Sequence, residues 1–153
     1  MREKSGETRF IIDAMLGNIT TWLRILGHDS IYWSGEDREL IERALAENRI
    51  IITKDRGLAS TALKKGLEVV LVDGSDVPKI IAEISKRYGL NVEFNPKRTR
   101  CPKCNTPLNL VRDYEYRWQC PGCGKHYWVG GHWRNISAVL DEVRRLAGEA
   151  WNR

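Results

Sequence analysis

Apolar runs and helical periodicity alternate along residues 1–90. Four segments consist mainly of consecutive apolar residues, as expected for short strands buried on both faces: 9–13, 30–33, 49–53 and 68–72. Each is followed by a segment whose apolar residues recur every three or four positions, as in an amphipathic helix: 16–26, 34–45, 58–65 and 77–88. Gly27, Gly66 and Gly89 stand where three of these helices should end. The pattern therefore predicts four successive strand–helix units.

Strands that alternate with helices favour a parallel sheet with helices on both faces. We therefore expect a three-layer α/β domain over residues 1–90. Residues 91–99 are polar, contain Pro96 and lack periodicity, which indicates a linker. A small second unit is expected over 98–133. Apolar residues from Ile136 to Ala147 recur at helical spacing and predict a final helix, over 134–153, that packs back on one of the two units.

Composition and charge narrow the function classes. Hydrophobic residues make up 42% of the 153 positions and charged residues 29%, as in soluble globular proteins. No apolar run approaches the roughly 20 residues that span a bilayer, and the charged N-terminus lacks a secretory signal pattern, so we expect a cytoplasmic protein without membrane contact. Residues 1–88 hold 14 basic and 14 acidic side chains, whereas 89–153 hold 11 and 6. A basic segment beside a neutral domain fits a polyanion-binding attachment, although solvated surfaces also carry such charge.

The four cysteines form the most specific motif. Cys101 and Cys104 enclose two residues, as do Cys120 and Cys123, and fifteen residues separate the pairs, which is typical of a structural zinc site. Residues 107–119 can form a hairpin that joins the pairs. Four thiolates close the coordination shell, so the zinc should stabilise a unit too small to fold on its own core. Redox-active dithiols are the weaker alternative, because neither pair lies at a strand-to-helix junction.

Aromatic and basic side chains interleave around the second cysteine pair. Rings suit base stacking and cations suit phosphate contact, so this region is a candidate nucleic-acid surface. The predicted contact residues are Arg117, Lys125, Trp128, His132 and Trp133. The alternative is that the aromatic rings, Trp118 and Tyr127 included, form the small core of the zinc-binding unit and its contact with the α/β domain. We assign at least half of the rings to that role.

Three aspartates lie where open α/β sheets bind ligands, at the carboxyl ends of strands. Asp13 ends the first strand, Asp37 opens the second helix and Asp55 follows the third strand. Clustered carboxylates repel one another unless cations neutralise them, and Mg²⁺ or Mn²⁺ would do so while keeping water for hydrolysis of a phosphodiester. Two of the aspartates also have a simpler explanation. Asp37 could complete a capping box with Ser34, and Asp55 could cap the following helix.

Other residues could contribute to the same site. Asp73, after the fourth strand, is the candidate fourth acidic ligand; Asp76 competes with it, and either could instead cap the next helix. The candidate contacts to substrate phosphate are Arg24, Lys54 and Arg56. The sequence contains no Gly-rich phosphate loop and no Ser/His/Asp arrangement.

Longer motifs run through nearly the whole chain. They are Phe10-Ile-Ile-Asp-Ala-Met-Leu-Gly17, Trp22-Leu-Arg-Ile-Leu-Gly27, Ile52-Thr-Lys-Asp55, the two cysteine motifs and Tyr127-Trp-Val-Gly-Gly-His-Trp133. Together they resemble the Mut-seven C-terminal RNase domain family. The resemblance implies a PIN-like α/β fold with a zinc ribbon, a nuclease that cleaves RNA or sometimes DNA with carboxylate-held divalent metal, and metal-site roles for Asp13, Asp37 and Asp55. One departure is Lys54, where the family's Thr-Arg-Asp motif has arginine, so the charge is kept but the bidentate fork is lost.

The sequence supports one main function and two alternatives. The main hypothesis is a divalent-metal-dependent nuclease that hydrolyses phosphodiester bonds of RNA, or of single-stranded DNA, with a structural zinc ribbon that aids nucleic-acid binding. The first alternative is a non-catalytic nucleic-acid-binding module. The second is an adaptor whose ribbon docks on a protein partner, which would fail to retain nucleic acid even at low salt. The oligomeric state is left open.

Overall fold

The computed structural model describes residues 8–112, 117–130 and 132–151, without the side chains of 112, 132, 133 and 149–151. In chain order, the elements are β1 (Arg9–Asp13), α1 (Gly17–Ile25), β2 (Asp29–Trp33), α2 (Asp37–Glu47), β3 (Ile50–Thr53), α3 (Arg56–Lys64), β4 (Val69–Leu71), α4 (Val77–Tyr88), β5 (Asn109–Arg112), β6 (Arg117–Gln119), β7 (His126–Trp128) and α5 (His132–Trp151). The predicted alternation of four strands with four helices is confirmed.

The first four strands form a parallel sheet with the order β2-β1-β3-β4. Asp13 at the end of β1 pairs with Trp33 at the end of β2, and Ile12 pairs with Ile52 of β3. All carboxyl ends therefore lie at one edge of the sheet. The order reverses between β1 and β3, because the chain first builds outward on one side of β1 and then on the other. Such a reversal opens a crevice at the carboxyl ends of the two central strands.

Helices cover both faces of this sheet. Phe10 and Ile12 of β1 point to the face where α1 and α4 pack, whereas Ile11 points to the opposite face, where α2 and α3 pack. All four residues of β3 are buried, which explains why this strand has no alternation of polar and apolar residues. The predicted three-layer α/β fold is confirmed. The final helix α5 packs on α4 and adds apolar side chains to the first of these cores, so it forms a partial fourth layer.

A second, antiparallel sheet with the order β5-β6-β7 carries the cysteines on its adjoining loops. We call the two cysteine loops, 101–105 and 120–124, and these three strands the ribbon. The Asn105 side chain joins the ribbon to the start of β2: its Nδ2 donates to Asp29 Oδ1 at 2.8 Å, and its Oδ1 accepts from the Ser30 amide at 3.0 Å. Thr99 Oγ1 donates to the carbonyl of Ile25 at 2.7 Å. The ribbon therefore docks at the amino edge of the parallel sheet, opposite the crevice.

Two further features concern the linker and the helices. The linker passes so close to the end of α1 that a Cβ on Gly27 would stand 2.7 Å from the carbonyl oxygen of Arg98, and the φ of +94° at Gly27 also favours glycine. Among the described residues, no helix is long and apolar enough to cross a membrane.

Candidate functional site

The crevice between β1 and β3 is bordered by two of the predicted acids. Asp13 is the last residue of β1, and Asp55 is the N-cap of α3, two residues after β3 ends. Asp37, the first residue of α2, approaches the same edge from the loop that follows β2. Because the strands are parallel and paired in register, their carboxyl ends deliver all three carboxylates to one side of the sheet.

Buried Thr53 fixes the orientation of Asp13. Its Oγ1 donates to Asp13 Oδ2 at 2.8 Å and accepts from the amide of Asp55 at 3.0 Å, while Asp13 Oδ1 accepts from the amide of Ala14 at 2.8 Å. The Thr53 side chain is fully buried, whereas Asp13 is half-buried. One hydroxyl therefore links the ends of β1 and β3 and holds the Asp13 carboxylate at the mouth of the crevice.

Asp55 has two carboxylate oxygens with different surroundings. Oδ1 accepts from the amides of Gly57 and Leu58 at 2.8 and 3.1 Å and so caps α3. Oδ2 has no hydrogen-bond partner among the described residues. The capping role expected as the simpler explanation is thus confirmed. It anchors the side chain and leaves one oxygen directed to solvent.

Asp37 interacts with the other two aspartates through its charge. Partial burial raises the pKa of Asp37, and the negative charges of Asp13 and Asp55 raise it further. The capping-box explanation is wrong, because the N-cap of α2 is Glu36 and no side-chain hydrogen bond caps this helix. A carboxylate whose pKa is raised by two neighbouring carboxylates lies in a negative field, which favours binding of a cation.

The spacing of these acids differs from that of a closed metal cage. Among the described residues, only the four cysteines form a group of three or more possible ligands with all ligand atoms within 4.8 Å of one another. The aspartates are more widely spaced. This suits Mg²⁺, which is usually held by one or two carboxylates and keeps several waters, better than it suits an ion bound entirely by protein.

Lys54 and Arg56 flank Asp55 in sequence, and both are exposed. They are the predicted phosphate contacts that the structure places at the acidic edge. Asp73 follows β4 and lines a separate cleft of about 750 Å³ with Asp76 and Lys79. Asp76 is the N-cap of α4 and accepts from the Lys79 amide at 3.3 Å, so Asp73 is not needed for that cap.

Arg24 lies at the opposite edge of the sheet. Its Nε donates to the carbonyl of Ser30 at 2.8 Å, and its Nη1 donates to the carbonyl of Pro102 at 2.9 Å. The side chain therefore links α1 to the start of β2 and to the first cysteine loop. The structure does not bring it together with the three aspartates.

The cysteine sulfurs are arranged as four ligands of one ion. Cys101 Sγ lies 3.8 Å from Cys123 Sγ, and Cys104 Sγ lies 3.4 Å from Cys120 Sγ. A tetrahedron with zinc–sulfur bonds of 2.3 Å has edges of about 3.8 Å. The predicted four-cysteine cluster is thus present, and it could bind zinc.

The two cysteine loops have the same backbone structure. In the first, the amide of Asn105 donates to the carbonyl of Cys101 at 2.8 Å; in the second, the amide of Gly124 donates to the carbonyl of Cys120 at 2.8 Å. Asn105 and Gly124 both have positive φ, of 75° and 78°. Each loop therefore turns back under its own cysteine pair and directs two sulfurs to one point.

The protonation of the sulfurs also favours a cation. Hydrogen bonds from the hydroxyl and backbone of Thr106 lower the pKa of Cys104 to about 6. A backbone hydrogen bond from Lys125 acts in the same direction on Cys123, but burial and the three neighbouring sulfurs outweigh it and raise the pKa of Cys123 to about 11. Mutually repelling thiolates lose their last proton readily only when a metal ion is bound.

The ribbon sheet has one inward and one outward face. Trp118 is 4% exposed, packs edge-to-face on Phe94 and donates from Nε1 to the carbonyl of Pro96 at 2.7 Å. This ring belongs to the small core of the ribbon, as the alternative for the aromatic residues stated. Its strand neighbour Arg117 is exposed and pairs across the sheet with Trp128, which is 64% exposed. The outward face therefore presents a cation beside an aromatic ring.

The remaining predicted contacts on the ribbon are only partly described. Lys125 is exposed and stands 5.7 Å from the centre of the Tyr127 ring. The backbones of His132 and Trp133 form the start of α5, but their side chains lie outside the described part of the chain.

Two residues beside the acids were not among the predicted site residues. Thr53 is the one polar side chain in an otherwise isoleucine strand, and this position could have drawn attention to it. Met15, two residues after Asp13, has a φ of 80° and is 82% exposed. A non-glycine residue in this conformation is strained, and such strain concentrates at functional loops. Nothing in the sequence pattern marked it.

Comparison with known proteins agrees with the earlier resemblance. The family model described as "Mut7-C RNAse domain" matches residues 8–140 and so covers the parallel sheet, the acidic edge and the ribbon. Comparisons with curated proteins and with solved structures gave no significant match. The match extends over most of the chain, and the chain therefore belongs to the Mut7-C RNAse domain family.

Proposed function

We propose that the protein is a divalent-metal-dependent nuclease that hydrolyses phosphodiester bonds of RNA, with single-stranded DNA as the second candidate substrate. The observation that carries this proposal is the convergence of Asp13, Asp37 and Asp55 at the crevice between β1 and β3. There, burial and the negative charges of Asp13 and Asp55 raise the pKa of Asp37. Membership in an RNase domain family supports the reaction class. The carboxylates supply the oxygen ligands that Mg²⁺ and Mn²⁺ favour.

In this mechanism, Asp13, Asp37 and Asp55 would hold the metal. The bound ion would activate a water molecule and stabilise the negative charge that develops on the phosphoryl oxygens. Thr53 positions Asp13 through the hydrogen bond of 2.8 Å, which fixes one ligand before substrate arrives. Asp55 is fixed by its bonds to the start of α3 and would offer Oδ2 as a ligand.

The flanking charges of the site would orient the substrate. Lys54 and Arg56 are exposed on either side of Asp55, where they can contact phosphates next to the scissile bond. Asp73 follows β4 at the same edge of the sheet but lines a separate cleft, and it is the proposed fourth acid. Lysine in place of the family's arginine gives Lys54 a point charge rather than a two-pronged contact, so it would neutralise a phosphate without fixing its orientation.

The ribbon would act as a zinc-stabilised binding unit. Arg117 and Trp128 present a charge and a stacking surface on its outward face, and exposed Lys125 adds a second charge from the loop before β7. The ribbon docks at the amino edge of the sheet. The five residues of β2 span about 13 Å, and this length separates the amino edge from the acidic edge. A nucleic acid held by the ribbon would therefore contact it through nucleotides distant from the scissile bond.

This distance favours a second candidate function. The ribbon's outward face does not depend on the acidic edge for its structure, so it could bind nucleic acid in a protein without turnover. That module would retain RNA at low salt, would release it as salt rises, and would keep its affinity after substitution of Asp13.

The test is cleavage of labelled single-stranded RNA and DNA in EDTA, Mg²⁺ or Mn²⁺. We expect cleavage that requires the metal and is lost in Asp13→Asn and Asp55→Asn. Asp76→Asn is the matched control, because it removes a carboxylate from the loop after β4 while keeping a side chain that can cap α4. RNA binding without cleavage in any metal would replace the nuclease with the binding module. Failure to bind RNA at low salt would exclude both.

A further inference from the structure

An open cleft of about 510 Å³ runs from the acidic edge along the groove between α2 and α3. Asp37 and Asp55 lie on its wall at one end. The other lining residues recur at the spacing of a single helical face on each side: Arg38, Ile41, Glu42 and Leu45 from α2, and Leu58, Thr61 and Lys65 from α3 and its C-cap. The cleft is therefore continuous with the proposed catalytic acids.

The chemistry of the cleft suits a nucleic-acid strand. Arg38 and Lys65 are exposed, and neither side chain makes a hydrogen bond or ion pair in the part of the chain that the structure describes. Leu45 is 50% exposed and lines the same cleft as an apolar surface on which a base can rest. Glu42 is the only carboxylate of the described lining apart from Asp37 and Asp55, and it can accept hydrogen bonds from a ribose hydroxyl or a base amino group.

We propose that this cleft binds the nucleotides next to the scissile phosphate in single-stranded RNA, with Arg38 and Lys65 contacting phosphates and Leu45 contacting a base. This proposal rests on the proposed nuclease function. From Asp37 to Leu45 the helix rises about 12 Å, which matches about three stacked nucleotides. Once a bound metal neutralises Asp37 and Asp55, the two basic side chains leave the cleft with net positive charge.

The dimensions argue for a strand and against a folded partner. A volume of 510 Å³ lies within the range of about 300–1,000 Å³ found for small-ligand sites. A stable protein interface needs about 800 Å² on each partner, more than such a narrow groove between two helices offers. A duplex also fits this cleft poorly. Its major groove is about 12 Å wide and admits one helix, whereas two helices form the walls of the cleft.

The chain offers a matched control for each kind of contact. Lys64 is exposed and adjacent to Lys65 but does not line the cleft, so Lys64→Gln controls for Lys65→Gln. Leu63 is 59% exposed outside the cleft, so Leu63→Ser controls for Leu45→Ser, which changes a leucine that is 50% exposed. Each pair removes the same chemical group from a solvent-facing helical surface.

The experiment measures kcat/KM for oligouridylates of three and twelve nucleotides in Mn²⁺, with the melting temperature of each variant as a check on folding. We expect wild type to prefer the longer substrate. Lys65→Gln and Leu45→Ser should each reduce this preference by about tenfold, as expected for one lost phosphate or base contact. Lys64→Gln and Leu63→Ser should retain the preference of wild type.

Two results would overturn the proposal in distinguishable ways. If wild type cleaves both oligomers and the cleft variants keep the preference seen in their controls, the cleft does not bind substrate and the nuclease function stands. If wild type cleaves neither oligomer and does not hydrolyse bis(p-nitrophenyl) phosphate in Mn²⁺, the proposed function fails and the cleft proposal fails with it.

Discussion

The hydroxyl of Thr53 provides the sharpest separation of folding from function in this protein. Thr53→Val keeps the shape of a fully buried side chain but removes the donor to Asp13 and the acceptor for the Asp55 amide. A hydrogen bond to a charged group contributes about 1.5–3 kcal/mol and one to an amide about 0.5–1.5 kcal/mol. Because Asp13 is half-buried and can bind water instead, we expect a loss of stability of about 2–3 kcal/mol.

The effect of Thr53→Val on activity should be larger than its effect on folding. An unfixed Asp13 would hold the metal poorly, and loss of such a supporting hydrogen bond typically lowers metal affinity or activity by about 10–100-fold. Chemical denaturation measures the first quantity and RNA cleavage against Mn²⁺ concentration the second. Thr53→Ser should restore most of the activity, since it keeps the hydroxyl.

Thr20→Val is the matched control. Thr20 is 2% exposed, and among the described residues its hydroxyl makes only a long contact of 3.5 Å, to the carbonyl of Leu16 at the start of α1. We expect Thr20→Val to change stability by less than about 1 kcal/mol and to leave cleavage intact. The reasoning is refuted if Thr53→Val matches Thr20→Val in both stability and cleavage.

Three further predictions concern the ribbon contact, the acidic edge and the zinc. Asp29→Ala removes the carboxylate 2.9 Å from buried Arg49 and leaves Glu47, 2.6 Å from Arg49 Nε, as the remaining partner, so the cost in chemical denaturation should lie below the roughly 3–5 kcal/mol of a fully unpaired buried charge. Although burial opposes it, hydrogen bonds from Arg49 and Asn105 hold the pKa of Asp29 below its ordinary value, so this stability is present above about pH 4 and lost as pH falls through the lowered pKa. Asp37→Asn should lose most of the rise in melting temperature that Mn²⁺ gives wild type, because it removes the carboxylate whose pKa is raised by partial burial and the two neighbouring aspartates. Removal by a strong chelator of the zinc proposed for the four cysteines should unfold the ribbon and expose Trp118, with a red shift of tryptophan fluorescence; an unchanged spectrum after complete zinc loss would contradict this role.

The parallel sheet could be predicted from the sequence because its strands are buried on both faces. The three consecutive isoleucines from Ile50 to Ile52 include no polar residue that would mark a solvent-facing side of the strand. The helices between the strands have clear apolar faces. The exact ends of the helices were harder to predict from the sequence. Helix α3 starts at Arg56, two residues before the first apolar position, because the side chain of Asp55 caps it there.

The edge of the sheet that carries the acids could also be predicted, but not the contacts that fix them. Asp13 and Asp55 follow apolar strands, and parallel strands end at the same edge. The role of Thr53 depends on two strands that are separated by 40 positions in sequence, and no local periodicity reveals it. The roles of the site residues stay predictions until substitution tests them.

The position of the ribbon could not be predicted. The cysteine spacing indicates a zinc site but contains no information about its partner surface. That surface is set by polar contacts between distant positions, such as Asn105 with Asp29 and Arg24 with the carbonyl of Pro102. The division into 1–90, 98–133 and 134–153 stays a prediction, and α5 shares its apolar side chains with the core beside α4.

The most direct test of the central claim is the single-turnover rate of RNA cleavage as a function of Mn²⁺ concentration, for wild type and for Asp37→Asn. Metal held by the acidic edge predicts no cleavage in EDTA and saturable activation of wild type. Asp37→Asn should need a higher Mn²⁺ concentration and reach a lower maximal rate. Cleavage by wild type in EDTA, or identical activation curves for the two proteins, would contradict the assignment of this edge as the catalytic metal site.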